Sequence, residues 1–151
     1  MKWNWIIALL IFAACQAEVE PPVESTQAEE YMPSTSAEGA AAYIITPEDG
    51  SIVQSGAVTV RFGLSGMGVA PAGVNFDNSG HHHLLINVEE LPPMDMPVPA
   101  DSAHIHFGLG QTETTLDLSS GTYTLQLVLG DFAHIPHDPP VVSEPVTITV
   151  E

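Results

Sequence analysis

All seven histidines of this 151-residue chain lie in three short clusters. The clusters are His81-His82-His83, His104 with His106, and His134 with His137. Imidazole is the commonest protein ligand for zinc, copper and nickel ions. If the fold brings the three clusters together, they form a site for a transition-metal ion, and copper or zinc is the ion that we expect.

The spacing within the clusters predicts which histidines share a face of a strand. Residues two apart in an extended strand lie on one face, about 6.5–7 Å from each other. His81 and His83 should therefore project together from one strand, and His104 and His106 from another. His82 should lie on the opposite face with the apolar residues that follow it, where a structural role is expected. The predicted metal ligands are His81, His83, His104, His106, His134 and His137.

Three further side chains are candidate ligands or residues that orient a ligand: Met67, Asp131 and Asp138. The Met67 thioether would suit copper(I), whereas zinc takes three or four nitrogen ligands in a tetrahedron and copper(II) takes imidazoles in a tetragonal plane. The two aspartates flank the last histidine pair, where a carboxylate can orient the N–H of a ligating ring. The alternative is structural for all three, namely a loop methionine over the core edge and two turn-forming aspartates.

The elements that must position the histidines are short runs of alternating apolar and polar residues bounded by Gly, Pro and Asn. Seven such strands with frequent turns predict an all-β sandwich. Segment 121–125, Gly-Thr-Tyr-Thr-Leu, looks like the tyrosine corner of immunoglobulin-like domains. We therefore expect an immunoglobulin-like β-sandwich without a disulfide, since Cys15 is the only cysteine. The predicted strands are residues 42–46, 57–64, 81–89, 103–107, 112–118, 122–129 and 142–150.

The order of these strands predicts where the histidines meet. In such a sandwich the loops after the second, fourth and sixth strands open at the same pole. These loops are residues 65–80, 108–111 and 130–140. The first two histidine clusters border the first two loops, and the third cluster lies within the last. All three clusters are therefore expected at one pole.

Residues 1–14 look like an export signal, because Lys2 precedes an apolar stretch that is too short to span a bilayer. The residues Phe12-Ala13-Ala14-Cys15 resemble the lipobox of bacterial lipoproteins. This resemblance implies cleavage before Cys15, lipidation of Cys15 and firm anchoring in the cell envelope. Gln16 then implies the outer membrane, facing the periplasm, if the cell is Gram-negative. The alternative is an ordinary cleaved signal followed by an incidental cysteine.

The remaining chain divides by composition into an acidic tether rich in Pro, Ser and Ala, residues 15–40, and a domain, residues 41–151. The chain has 19 Asp and Glu against 2 Lys and Arg, a formal charge of -17. Without a basic patch to displace phosphate counterions, nucleic acid is excluded as a partner. Acidic charge attracts cations. We expect a metal ion as partner and membrane contact through the lipid anchor only, and no pattern identifies a protein partner.

Three motifs surround the histidines. They are Gly80-His81-His82-His83-Leu84-Leu85-Ile86, His104-Ile105-His106-Phe107-Gly108 and His134-Ile135-Pro136-His137. Together they resemble an uncharacterised bacterial exported family, catalogued as domain of unknown function 4399. The similarity extends over nearly all of residues 41–151. It implies export and a compact domain, and it implies no particular substrate.

Two other functions stay open at this point. The first is an envelope scaffolding or adhesion module in which the histidines satisfy loops or sense pH. The second is a metalloenzyme of redox type, because His-x-His on a β-sandwich is similar to the pattern in copper–zinc superoxide dismutases. The chain lacks Gly-x-Ser-x-Gly, His-Glu-x-x-His and a paired-acid constellation. We therefore expect a binding protein rather than an enzyme.

Overall fold

The computed structural model describes residues 32–151, which contain nine strands and no helix. The predicted signal, Cys15 and most of the predicted tether lie outside the described residues. No helix in the described part of the chain is long and apolar enough to span a membrane. The strands are β1 (Ala41–Thr46), β2 (Ile52–Val53), β3 (Gly56–Ser65), β4 (Gly68–Val69), β5 (Ser79–Ile86), β6 (His104–His106), β7 (Glu113–Leu118), β8 (Gly121–Gly130) and β9 (Val146–Val150).

The strands form two sheets, as the alternating pattern predicts. One sheet has the order β1-β3-β7, and the other has the order β2-β9-β8-β5-β4 with β6 paired to β5. The longer strands pair antiparallel, whereas the two-residue strands β2 and β4 pair parallel to their neighbours. The pairing of the longer strands is that of an immunoglobulin-like sandwich. The predicted all-β class and two-sheet arrangement are confirmed, and β2 and β4 are additions that the sequence pattern did not indicate.

The main core lies where the apolar faces of the two sheets meet. In β3, Val58, Val60 and Phe62 are buried while Thr59 and Arg61 are exposed. Strand β9 shows the same period of two, and Leu125, Leu127 and Leu129 of β8 are fully buried in the same core. This alternation is the reason that each sheet buries one face.

The tyrosine corner predicted at 121–125 is present, because the Tyr123 hydroxyl donates to the carbonyl oxygen of Ser119 at 3.0 Å. The last strand, by contrast, begins at Val146 and not at residue 142. The hydroxyl of Ser143 accepts from the Leu127 N–H at 2.9 Å, in place of a backbone carbonyl. The ladder beside β8 is interrupted because a side-chain hydroxyl replaces a backbone acceptor and because Pro145 has no N–H.

The outer face of the larger sheet is also covered. Leu85, Val98 and Val128 form a second apolar cluster there. Val98 belongs to the segment between β5 and β6, and its N–H donates to the carbonyl oxygen of His134 at 2.9 Å. This crossing segment therefore holds the β8–β9 loop against the sheet.

Residues 34–36, which the composition assigns to the tether, hydrogen-bond to the same β8–β9 loop. The Asp138 N–H donates to Ser34 O at 3.0 Å, and the Ser36 N–H donates to Asp138 O at 3.2 Å. The Ser36 hydroxyl also donates to Pro139 O at 2.8 Å. We call residues 34–36 the N-terminal strap.

Candidate metal centre

Strand β5 places its three consecutive histidines on two faces of the larger sheet. All three are at most 1% exposed. The His82 ring faces the main core, with its centroid 5.4 Å from that of Phe62. The expectation that His82 packs structurally is thus confirmed. By strand alternation, His81 and His83 project to the outer face.

Strand β6 brings the second cluster to the first. In the antiparallel ladder His106 is opposite His83, while His104 is opposite Leu85. One ring nitrogen from each of His81, His83 and His106 lies within 4.8 Å of the others. Two of the three predicted clusters therefore converge as a potential metal site.

From the third cluster, the ring of His134 lies next to these three rings, outside the group whose nitrogens lie within 4.8 Å of one another. Its ring centroid is 5.0 Å from that of His81 and 4.8 Å from that of His106. The β4–β5, β6–β7 and β8–β9 loops meet at this end of the sandwich, where Ala72 N–H donates to Gly108 O at 2.9 Å and Gly73 N–H to Phe132 O at 2.8 Å. The prediction that the three loops share one pole is confirmed.

Asp131 fixes the turn that carries His134. Its Oδ1 accepts from the N–H of Ala133 at 2.8 Å and of Ile135 at 3.1 Å, and its carbonyl oxygen accepts from the His134 N–H at 2.9 Å. These bonds hold His134 at φ 70, a left-handed conformation that is unusual for a side chain larger than glycine. Ser34 of the N-terminal strap donates its hydroxyl to Asp131 Oδ2 at 2.9 Å. Asp131 is therefore a residue that positions His134.

The buried rings of the cluster are neutral and have free nitrogens. Burial is the main cause that lowers the pKa of His81 to about 4 and that of His83 to about 3, and the neighbouring histidines add to it. Burial and His134 also lower the pKa of His106. Within residues 32–151, both ring nitrogens of His81 and Nδ1 of His83 are buried without a hydrogen-bond partner. Unpartnered buried nitrogens cost about 1–3 kcal/mol each, and a metal ion would satisfy them.

Two glycines make room for the rings. A Cβ at Gly108 would lie 2.2 Å from Cε1 of His106, and a Cβ at Gly130 would lie 2.7 Å from Cε1 of His83. Such distances do not occur between real Cβ atoms and their neighbours. Both rings are therefore packed directly against glycine backbone, which restricts their positions.

The structure does not bring His104 and His137 to the cluster, although the sequence pattern groups them with the ligands. The Nδ1 of His104 pairs with Asp101 Oδ1 at 2.9 Å. His104 shares a face with His106, but it is two residue pairs further along the ladder, level with Leu85. His137 is buried, and its Nε2 donates to the carbonyl oxygen of Ser79 at 3.1 Å.

The three additional candidates occupy different places. Met67 packs against the main core, on the side of the sheet that His82 faces. Asp138 is exposed, and its backbone pairs with the N-terminal strap. Asp131 is 1% exposed, and its negative charge acts on His81. Of the three, Asp131 is the one whose contacts reach the histidine cluster.

Sequence reasoning missed Ser34, Gly108 and Gly130 as residues that shape the site. A glycine two positions after His106 and another directly before Asp131 are visible in the sequence, but only packing shows that the rings lie on them. Ser34 gives no signal, since it sits 97 residues from its carboxylate partner in a segment of tether-like composition.

Comparison with known proteins gives one family and no characterised relative. A family model described as Domain of unknown function (DUF4399) matches residues 60–151. The matched region includes all seven histidines. No curated protein matches the chain.

Proposed function

The chain belongs to the family described as Domain of unknown function (DUF4399), and we propose that it is a metal-binding protein of the bacterial cell envelope. Its ion is copper or zinc, held by His81, His83, His106 and His134. The observation that carries this proposal is the convergence of buried ring nitrogens without hydrogen-bond partners at the outer face of β5. Neutral imidazoles in this state are the form that binds transition metals.

The site has a closed inner side and an open outer side. His81 and His83 are fully buried, whereas His106 contacts solvent and His134 is partly buried. An ion can therefore enter past His106 and His134 and be bound by the two rings beneath them. This arrangement suits a protein that takes up and releases its ion during storage, delivery or protection.

Charge favours a cation at this surface. The chain has a formal net charge of -17. Its one Lys or Arg within the described region, Arg61, pairs with Glu113 of the neighbouring strand in the smaller sheet. A negative protein raises the local concentration of cations, which increases their rate of association.

A binding role is favoured over catalysis by the number of imidazoles. Catalytic zinc sites keep one coordination position open beside three protein ligands, whereas closed sites have four. Three of the rings offer nitrogens within 4.8 Å of one another, and the adjacent ring of His134 would supply the fourth ligand. We therefore propose that the protein binds the ion and carries out no reaction with it.

The test is metal binding by the full chain, purified in mild detergent without a polyhistidine tag and stripped with a chelator. We expect one ion of copper or zinc per chain by elemental analysis, with a dissociation constant below about 1 μM by calorimetry. Replacement of His81, His83 and His106 together by alanine should abolish binding. Wild-type protein that binds neither ion in this range would overturn the proposal.

Localisation to the envelope rests on the lipobox-like residues that end at Cys15, and it is tested separately. We expect Cys15 to incorporate labelled fatty acid in the bacterial host and the protein to fractionate with membranes. Cys15→Ser should release it into the soluble envelope fraction without loss of metal binding. Fractionation of both forms with the cytoplasm would contradict the proposed location.

A further inference from the structure

The centroids of the rings of His81, His83, His106 and His134 form a tetrahedron rather than a square. The centroid of His81 lies 4.8 Å from that of His83, 5.0 Å from that of His106 and 5.0 Å from that of His134. The remaining distances are 5.1 Å for His83–His106, 4.8 Å for His106–His134 and 6.1 Å for His83–His134. Each ring is therefore close to all three others.

Four ligands in a tetragonal plane give a different pattern of distances, because both diagonals of the square are about 1.4 times as long as its sides. If His83 and His134 were one trans pair, His81 and His106 would be the other, about 7 Å apart for sides of this length. The observed distance between His81 and His106 is 5.0 Å. The four rings therefore do not lie at the corners of a square.

The distances between the ring centroids also fit the size of a tetrahedral site. With metal–nitrogen bonds of about 2.0–2.1 Å, ring centroids lie about 3.2 Å from the ion and about 5 Å from one another. Five of the six distances are between 4.8 and 5.1 Å. The sixth, between His83 and His134, is 6.1 Å.

The surroundings of the rings resist rearrangement into a plane. His81 and His83 alternate along one strand, and His106 is registered against His83 by backbone pairing. Gly130 and Gly108 lie directly against the rings of His83 and His106. Because paired strands carry these three histidines, their positions are fixed more precisely than positions on loops would be.

The chemical type of the donor atoms further narrows the choice of ion. All four donors are imidazole. Met67 packs against the main core, and Met96 of the β5–β6 crossing segment is 57% exposed. Copper(I) prefers sulfur ligands, while zinc accepts imidazole and carries no geometric preference that opposes a tetrahedron. The buried carboxylate of Asp131 supplies negative charge beside His81, which favours a dication.

We infer that the cluster is a tetrahedral four-imidazole site that suits Zn²⁺ and reduces the advantage in affinity that Cu²⁺ has over Zn²⁺ at an unconstrained set of four imidazoles. This inference rests on the proposed metal-binding function and specifies its ion. Copper(II) normally exceeds zinc in affinity for nitrogen ligands. The fold reduces that advantage because Cu²⁺ cannot obtain its tetragonal plane here.

The first test uses Co²⁺ as a spectroscopic substitute for Zn²⁺ in the stripped full chain. We expect the intense visible d–d bands of four-coordinate tetrahedral cobalt, bleached by one equivalent of Zn²⁺. His134→Ala should change these bands, and His104→Ala should leave them as in the wild type, with circular dichroism to confirm folding. A weak six-coordinate spectrum, or a spectrum that His134→Ala does not alter, would overturn the four-imidazole tetrahedron.

The second test is competition between Zn²⁺ and Cu²⁺ under oxidising conditions. We expect the two affinities to agree within about tenfold, against the orders of magnitude by which free imidazole favours Cu²⁺. The electron paramagnetic resonance spectrum of bound Cu²⁺ should show the small parallel hyperfine splitting of a flattened tetrahedron. Complete displacement of Zn²⁺ by Cu²⁺ with a tetragonal spectrum would refute the reduced Cu²⁺ advantage while leaving metal binding itself intact. Absence of any binding would instead refute the proposed function.

Discussion

His104 and His106 form a natural pair for testing the site, because they share a strand and a face but only one of them lies in the cluster. His106 is within 4.8 Å of the ring nitrogens of His81 and His83, whereas His104 pairs with Asp101. We expect His106→Ala to weaken zinc binding strongly. We expect His104→Ala to leave it unchanged.

The magnitude follows from the number of ligands. A structural zinc site with four ligands is worth about 10–16 kcal/mol, or about 2.5–4 kcal/mol for each ligand. Loss of His106 should therefore raise the dissociation constant by about two to three orders of magnitude. Loss of His104 removes one contact to an exposed carboxylate, which contributes little to folding stability and nothing to binding of the ion.

The assay is competition with a chromophoric zinc chelator, using stripped full-length protein, with thermal unfolding as a check that both variants fold. His106 contacts solvent, so its removal should change the stability of the metal-free protein by less than about 1 kcal/mol. Equal loss of affinity in the two variants would show that the ladder register does not decide the ligands. An affinity of His106→Ala within threefold of wild type would exclude His106 as a ligand.

Three other predictions concern residues around the cluster. Asp131→Ala should weaken zinc binding by about 10–100-fold, because the turn that holds His134 loses its hydrogen-bond acceptor. Asp131→Asn keeps an acceptor oxygen and should lose less zinc affinity. Competition titration measures both variants. His82→Leu should raise the free energy of unfolding of the metal-free protein by about 1–2 kcal/mol in denaturant titration, because it replaces a buried ring whose nitrogens have no hydrogen-bond partner among the described residues. The metal-free protein should lose stability as the pH falls from about 6.5 to about 4, since the unfolded imidazoles take up protons in this range while the folded pKa of His81 and of His82 is about 4. A pKa lowered from 6.5 to about 4 on folding corresponds to about 3 kcal/mol of stability per imidazole. Unfolding at a series of pH values measures this loss.

Each of these predictions has a contradicting result. Equal affinities of the Asp131 variants would show that its charge, and not its turn, acts on the site. Destabilisation by His82→Leu would indicate that the ring has a role in folding that the packing against Phe62 does not reveal. A stability of the metal-free protein that stays constant between pH 6.5 and pH 4 would mean that the buried histidines are solvated more than their exposure suggests.

Much of the fold could be predicted from local pattern. The period of two in β3 and β9 depends only on which residues are apolar, and the structure has the predicted strands with boundaries that differ by a few residues. Exceptions arise where side chains replace backbone partners, as Ser143 does beside Leu127. Such replacements depend on a neighbouring strand and leave no periodic signal.

By itself, the sequence determined the class of fold, the convergence of the histidine-bearing loops at one pole, and the opposite faces of His82 and its neighbours. These follow from alternation and strand order, which are properties of the chain alone. The tertiary structure decided which histidines meet. The register of β6 against β5 places His106, and not His104, beside His83, and the turn at Asp131 directs His134 into the cluster while His137 bonds to a backbone carbonyl. Alternation gives the face of a side chain, whereas its partners depend on register and on loop hydrogen bonds between residues distant in sequence.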